Sequence, residues 1–195
     1  MPLPPSQLVL IAGGSGSGKT TLALALAARY PNWTVVHLDD YQKRRAEMPR
    51  FDGRPNWEHP DAVDFPALIR DLEALRAGTP ITVMARVSQT APTEGRLPKT
   101  IVPGPTVLVE GYLALWHPDV RELADYSIYI DASWTSRRAR RRWKMDDDYL
   151  DHVLEPMHRL HIEPTKAHAE LVLDADAMTP EQMLEEAAAC IGPHH

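Results

Sequence analysis

The sequence predicts an α/β fold, a parallel five-stranded sheet flanked by helices with a small hairpin beside it. Three observations predict it. Short apolar runs alternate with helical stretches along the chain, as when crossover helices join parallel strands. The first run, residues 8–11, is apolar throughout, as a strand buried on both faces should be. A glycine-rich turn then leads directly into a Leu/Ala-rich helix.

Each element follows in order. A helix over 19–30 stops at Pro31, which cannot continue it. Residues 34–38 read as the second strand. A helix over 65–77 carries Leu68, Ile69, Leu72 and Leu75 at helical spacing and stops at Gly78. Residues 81–84 read as a further strand and open the hairpin, about 80–105. The stretch 86–105 is irregular, with Pro92, Gly95, Pro98, Pro103 and Gly104. Strands over 107–109 and 127–130 follow, then helices over 133–144 and 150–167, then a strand over 171–173. Thr179-Pro180-Glu181 opens the last helix, with a cap residue before Pro at the first helical position.

The length of 195 residues suits one domain, 1–195. Cys190 is the only cysteine, which excludes an intrachain disulfide and a cysteine-only metal site. No apolar run is long enough to span a bilayer, and the first residues lack a signal-peptide pattern. A cytoplasmic location is therefore expected. The net charge of -6 disfavours nucleic acid and membrane partners. Yet six of the 21 basic residues fall within 137–144, which contains no acid. Positive charge is focused there, as a small polyanion would require. Nothing in the chain sets its oligomeric state.

Gly13-Gly14-Ser15-Gly16-Ser17-Gly18-Lys19-Thr20 fits G-x-x-x-x-G-K-[ST], between strand and helix. Its glycines let backbone N–H groups converge on phosphate oxygens, and the helix N-terminus adds unpaired donors. Lys19 is expected to reach the β- and γ-phosphates of ATP or another nucleoside triphosphate. Thr20 is expected to hold Mg²⁺, and Thr21 completes the triphosphate-binding set. The base-reading Asn-Lys-x-Asp of switch GTPases is absent. Asp39 and Asp40 follow the second strand at its C-terminal end, the edge where open α/β sheets bind ligands. Glu110 ends the run 107–109.

These segments, with Trp57-Glu58-His59-Pro60-Asp61-Ala62-Val63-Asp64, Val109-Glu110-Gly111-Tyr112-Leu113, the arginines over 137–141 and Pro164-Thr165-Lys166, resemble the uridine kinase / phosphoribulokinase family of P-loop kinases. The resemblance runs from about residue 7 to residue 173. It implies a P-loop nucleoside triphosphate hydrolase fold and ATP-dependent transfer of phosphate to an alcohol. It makes Asp39 the proton acceptor for the attacking hydroxyl and Glu110 the metal-facing carboxylate. It puts Glu58 on ribose hydroxyls, with Trp57 and Tyr41 beside the acceptor. It makes about 137–150 a short lid in which Arg137 and Arg140 cover the transferring phosphate and Arg141 contacts ATP. Pro164-Thr165-Lys166 would border adenine.

Each residue also has an ordinary reading: Asp39 as a helix cap, Trp57 as core, the arginines as a solvated face. His152, His158, His161 and His168 read as decoration of an exposed helix face.

The resemblance departs at residues 83–90. Uridine kinases carry Tyr-Asp-Phe and a following His there, and this chain has none of them. Leu38-Asp39-Asp40-Tyr41 and residues 149–157 are similar to segments of nicotinamide riboside kinases. The expected acceptor is therefore a ribose-containing small molecule, a nucleoside first. The alternatives are nicotinamide riboside or another metabolite, or a regulator that binds nucleotide without catalysis.

Overall fold

The computed structural model describes residues 5–86, 95–141 and 145–192. Residues 87–94 of the expected hairpin, which include 87–90 of the departing stretch, and residues 142–144 of the expected helix, basic run and lid, with Arg142 and Lys144, lie outside them.

Five strands form the main sheet: β1 (Gln7–Gly13), β2 (Thr34–His37), β7 (Thr106–Glu110), β8 (Tyr126–Asp131) and β9 (Leu171–Asp174), in the order β2-β7-β1-β8-β9. Every pairing is parallel. Central β1 is apolar because it is covered on both sides, and its alternation divides two cores. Leu8, Leu10 and Ala12 pack with Leu68, Leu72 and Leu75 of α2 (Phe65–Arg76). Val9 and Ile11 pack with Leu22, Ala23 and Leu26 of α1 (Lys19–Arg29) and with Ala187 and Ile191 of α7 (Pro180–Ile191). The result is a three-layer helix–sheet–helix sandwich.

A two-residue pair, β3 (Arg50–Phe51) with β4 (Arg54–Pro55), precedes α2. The expected hairpin is β5 (Ile81–Arg86) paired antiparallel with β6 (Arg96–Ile101). Ile81, Val83 and Ile101 tie it to the α2 core. Short α3 (Pro118–Leu123) leads into β8, and α4 (Trp134–Arg141) follows it.

The stretch expected as one helix over 150–167 is not uniformly α-helical. After α5 (Asp147–Tyr149) it widens to π-turns over Leu150–Leu154, resumes as α6 (Glu155–Met157), widens again over His158–Ile162 and tightens to a 3₁₀ end at Glu163–His168. Pro156 lies between the two wide turns. It lacks an N–H and its ring crowds the preceding turn, so the regular ladder of hydrogen bonds is broken there, at the first wide turn.

Parallel strands point their C-terminal ends the same way. The turn after β1, the segment after β2 and the last residue of β7 therefore share one edge.

Candidate active site

The phosphate loop bends as its glycines allow. Gly13, Gly16 and Gly18 have φ of 138°, 86° and 112°, values that a side chain would strain. At Gly13 an added Cβ would also lie 2.3 Å from the Ile130 carbonyl oxygen. At Gly14 it would meet the Arg137 and His158 side chains at 2.7 and 2.9 Å. α1 starts at Lys19, whose buried ammonium donates to the Gly14 carbonyl at 2.9 Å. Burial lowers the Lys19 pKa to about 8, against the pull of Glu110. The Ser17 hydroxyl is buried in the same loop with no hydrogen-bond partner among the described residues. The loop thus gathers polar donors that suit phosphate oxygens.

Three carboxylates face Lys19. Glu110, 5% exposed, accepts from His37 Nδ1 at 2.7 Å, the two residues being register partners on β7 and β2. Burial pushes the Glu110 carboxyl up. The His37 hydrogen bond, the Lys19 charge and the Thr20 hydroxyl outweigh it and hold the carboxyl below its usual range. Thr20 and Glu110 thus offer adjacent hard oxygens beside Lys19. That donor set fits Mg²⁺, which takes one or two protein oxygens and completes its shell with water and phosphate.

Asp39 lies in the 3₁₀ turn Leu38–Tyr41 that follows β2. Burial raises its pKa, as does Glu110, while Arg86, Lys19 and Arg141 pull it down. Glu58 is 4% exposed, and its Oε2 has no partner among the described residues. Burial pushes its carboxyl up to about 7, with Arg141 opposing. Asp40 is turned away: its Oδ1 accepts from the Arg86 backbone at 2.9 Å.

The expected arginines separate. Arg137 is 2% exposed, bonded through Nη2 to Glu155 Oε2 at 2.7 Å and through Nε to the Ala132 carbonyl. It packs under the phosphate loop, and its Nη1 is buried without a partner among the described residues. Arg140 is exposed and donates to the Gly16 carbonyl at 3.2 Å. Arg141 packs over Gly16, and Lys19, Asp39 and Glu58 all feel its charge. Arg141 therefore faces the acidic cluster more directly than Arg140 does.

Two expectations need correction. Tyr41, expected beside the acceptor, is a core residue whose hydroxyl donates to Asp71 of α2 at 3.0 Å. His158, expected on an exposed face, is 6% exposed against the loop. Burial, with Arg137 and Lys19 adding to it, drives its pKa down to about 3, so it is neutral. Trp57 is half-buried, its carbonyl accepting from the Tyr112 hydroxyl.

A cavity of about 260 Å³ opens beside the loop, lined by Ser17, Thr21, Arg140, Ala175, Met178 and Pro180 among others. It is mostly apolar, which suits a flat base. Pro164-Thr165-Lys166 does not line it: Lys166 pairs with Asp131, and Thr165 donates to the Ile162 carbonyl. The sequence alone assigns no role to His37, Tyr112, Glu155 or the apolar wall at Ala175–Pro180. His37 was the one within reach, since it ends a strand two residues before Asp39.

The sequence profile described as Phosphoribulokinase / Uridine kinase family matches residues 8–175. A uridine kinase of Deinococcus deserti is 32% identical over 86% of this chain and 87% of its own length. One of Staphylococcus epidermidis is 33% identical over the same shares, 86% and 87%. Among solved structures, a possible uridine kinase from Bacillus stearothermophilus superposes with a TM-score of 0.59 at 23% identity, over 89% of this chain and 91% of the other. Phosphoribulokinase from Rhodobacter spheroides does so with 0.65 at 12% identity, over 87% and 70%.

Proposed function

The chain belongs to the phosphoribulokinase / uridine kinase family and is an ATP-dependent kinase, and we propose that its acceptor is a hydroxyl of a small ribose-containing molecule, a nucleoside first. One observation carries the proposal. Lys19, Asp39, Glu58, Glu110 and Arg141 converge at one sheet edge closely enough that their charges perturb one another. Phosphoryl transfer is largely positioning and charge stabilisation, and this set supplies both.

The base of ATP enters the apolar cavity beside Thr21 and Met178, and its phosphates lie along residues 13–20. Lys19 leaves the Gly14 carbonyl for the β- and γ-phosphates. Thr20 and Glu110 would hold Mg²⁺, which neutralises phosphate charge when bound. Asp39 orients the acceptor hydroxyl and takes its proton as the oxygen attacks the γ-phosphorus; the bond from that phosphorus to the β–γ bridging oxygen breaks, and ADP leaves. Glu58, buried with one oxygen unpartnered, accepts from the ribose diol, a task that suits a carboxylate. Arg141 meets the charge that develops on the moving phosphoryl group. Arg137, locked by Glu155, stiffens the floor of the loop. The names of the similar uridine kinases support a nucleoside acceptor.

ATP consumption against uridine, cytidine, nicotinamide riboside, pantothenate and sugar phosphates tests the proposal. Turnover with a ribonucleoside is expected. Turnover with pantothenate or a sugar phosphate alone would move the acceptor outside the ribosides. Tight ATP binding with no turnover on any of them would make the protein a nucleotide-binding regulator.

A further inference from the structure

The hairpin β5–β6 grips the segment that carries Asp39 from both of its strands. Arg86 and Arg96 are register partners across it. Arg96 donates to the Asp40 and Gln42 carbonyls at 2.7 and 2.6 Å. Arg86 goes further. Its Nη1 lies 3.4 Å from Asp39 Oδ2, and its Nη2 bonds to Gln42 Oε1. Gln42 Nε2 donates to the Tyr112 hydroxyl at 2.8 Å, and that hydroxyl donates to the Trp57 carbonyl. The Trp57 N–H donates to the Tyr149 hydroxyl at 3.3 Å. One polar chain thus runs from Asp39 through the hairpin to the residue beside Glu58, and on to the segment after α4.

Asp39 needs such a tether. Glu110 and Glu58 share its surroundings, and burial adds to their repulsion. An untethered carboxylate there would swing toward Lys19 or Arg141, away from an incoming hydroxyl. A guanidinium fork bridging Asp39 and Gln42 opposes that movement, and its planar geometry fixes direction as well as distance.

We propose that Arg86 is a positioning residue for phosphoryl transfer, aiming the Asp39 carboxylate at the acceptor hydroxyl and coupling it through Gln42 and Tyr112 to the acceptor wall at Trp57. The proposal rests on the reading of Asp39 as proton acceptor, and a double-mutant cycle separates the two. Wild type, Arg86→Met, Asp39→Asn and the double variant are compared in single-turnover transfer from ATP to uridine, with ATP affinity and melting temperature measured alongside. If wild type ignores uridine, cytidine and nicotinamide riboside alike, the riboside reading fails. The same cycle is then read on ATP hydrolysis, with water as the acceptor.

Arg86→Met is expected to lower the rate about 10- to 100-fold, as misplacing a reacting group does, with ATP affinity changed less than about twofold. In the Asp39→Asn background the same change is expected to cost less than about threefold, because the partner it acts through is gone. Guanidinium ion at millimolar concentration is expected to restore part of the rate to Arg86→Ala, which a loss of fold would not allow. Should the Met variant not fold, Arg86→Lys keeps the charge without the fork and is expected to stay slow. An unchanged rate in Arg86→Met, or an equal loss in both backgrounds, overturns the Arg86 proposal. A near-normal rate in Asp39→Asn instead overturns the reading beneath it.

Discussion

Replacing Glu58 with Gln is expected to stabilise the ligand-free protein while weakening acceptor binding. Glu58 is 4% exposed, and one carboxylate oxygen has no partner among the described residues. Burial moves its pKa from 4.5 to about 7. A carboxyl whose folded pKa is raised favours the folded state least when ionised. The penalty therefore grows as pH rises from about 4.5 through about 7, then levels off. At roughly 1.4 kcal/mol per unit, the full penalty is about 3 kcal/mol. An amide of the same shape avoids it, less whatever its own burial costs. For a chain of this length each kcal/mol moves the melting temperature by about 2–4 °C. The Gln variant should thus melt up to about 10 °C above wild type at pH 8 and nearly level with it at pH 4.5. Its acceptor KM should rise, because an amide cannot accept both diol hydrogens through ionised oxygens. Thermal melts at the two pH values, without ligand, decide the matter. A gap that does not change with pH, or a Gln variant less stable than wild type at pH 8, would show that ionised Glu58 carries no burial penalty.

Other consequences are as direct. Arg141→Ala should lower kcat more than Arg140→Ala, because Arg141 faces the acidic cluster while Arg140 bonds the Gly16 carbonyl from an exposed position; steady-state kinetics with saturating ATP compares them. Glu155→Gln should destabilise the fold by about 3–5 kcal/mol in urea unfolding, since it strips the carboxylate from a fully buried Arg137. Gly13→Ala should abolish ATP binding or folding, because its φ of 138° disfavours a side chain and the Cβ would lie 2.3 Å from the Ile130 oxygen; nucleotide titration and circular dichroism distinguish the two.

The sheet and phosphate loop were legible because their signals are local. An apolar run, a glycine turn needing positive φ and a Leu/Ala helix are contiguous, and each constrains the next. What the sequence hid depends on distant partners. Arg137 and Arg141 are four residues apart on one helix, yet Glu155 buries the first while the second faces the acids. Tyr41 sits two residues from Asp39, but its hydroxyl is claimed by Asp71, 30 residues on. His158 reads as one of several scattered histidines until the loop and Arg137 close over it. The irregular winding around Pro156 could have been read from the proline itself. Arg86 could not, because only the register of β5 with β6 carries it to Asp39.

The proposed role of Asp39 is to accept the proton of an acceptor hydroxyl to which Lys19, Glu110 and Arg141 help deliver a phosphoryl group. Its most direct test is the single-turnover rate of γ-phosphate transfer from ATP by Asp39→Asn, followed from pH 5 to 9 beside wild type with the acceptor saturating at every pH, so that titration of Glu58 does not enter. Wild type should lose rate on acidification, at a pH above the ordinary aspartate range because burial raises this carboxyl. Asp39→Asn should be slower by about 10²–10⁴, bind ATP normally and lack that acidic limb. A variant that transfers phosphate at a near-normal rate, with the acidic limb intact, would rule out Asp39 as the proton acceptor.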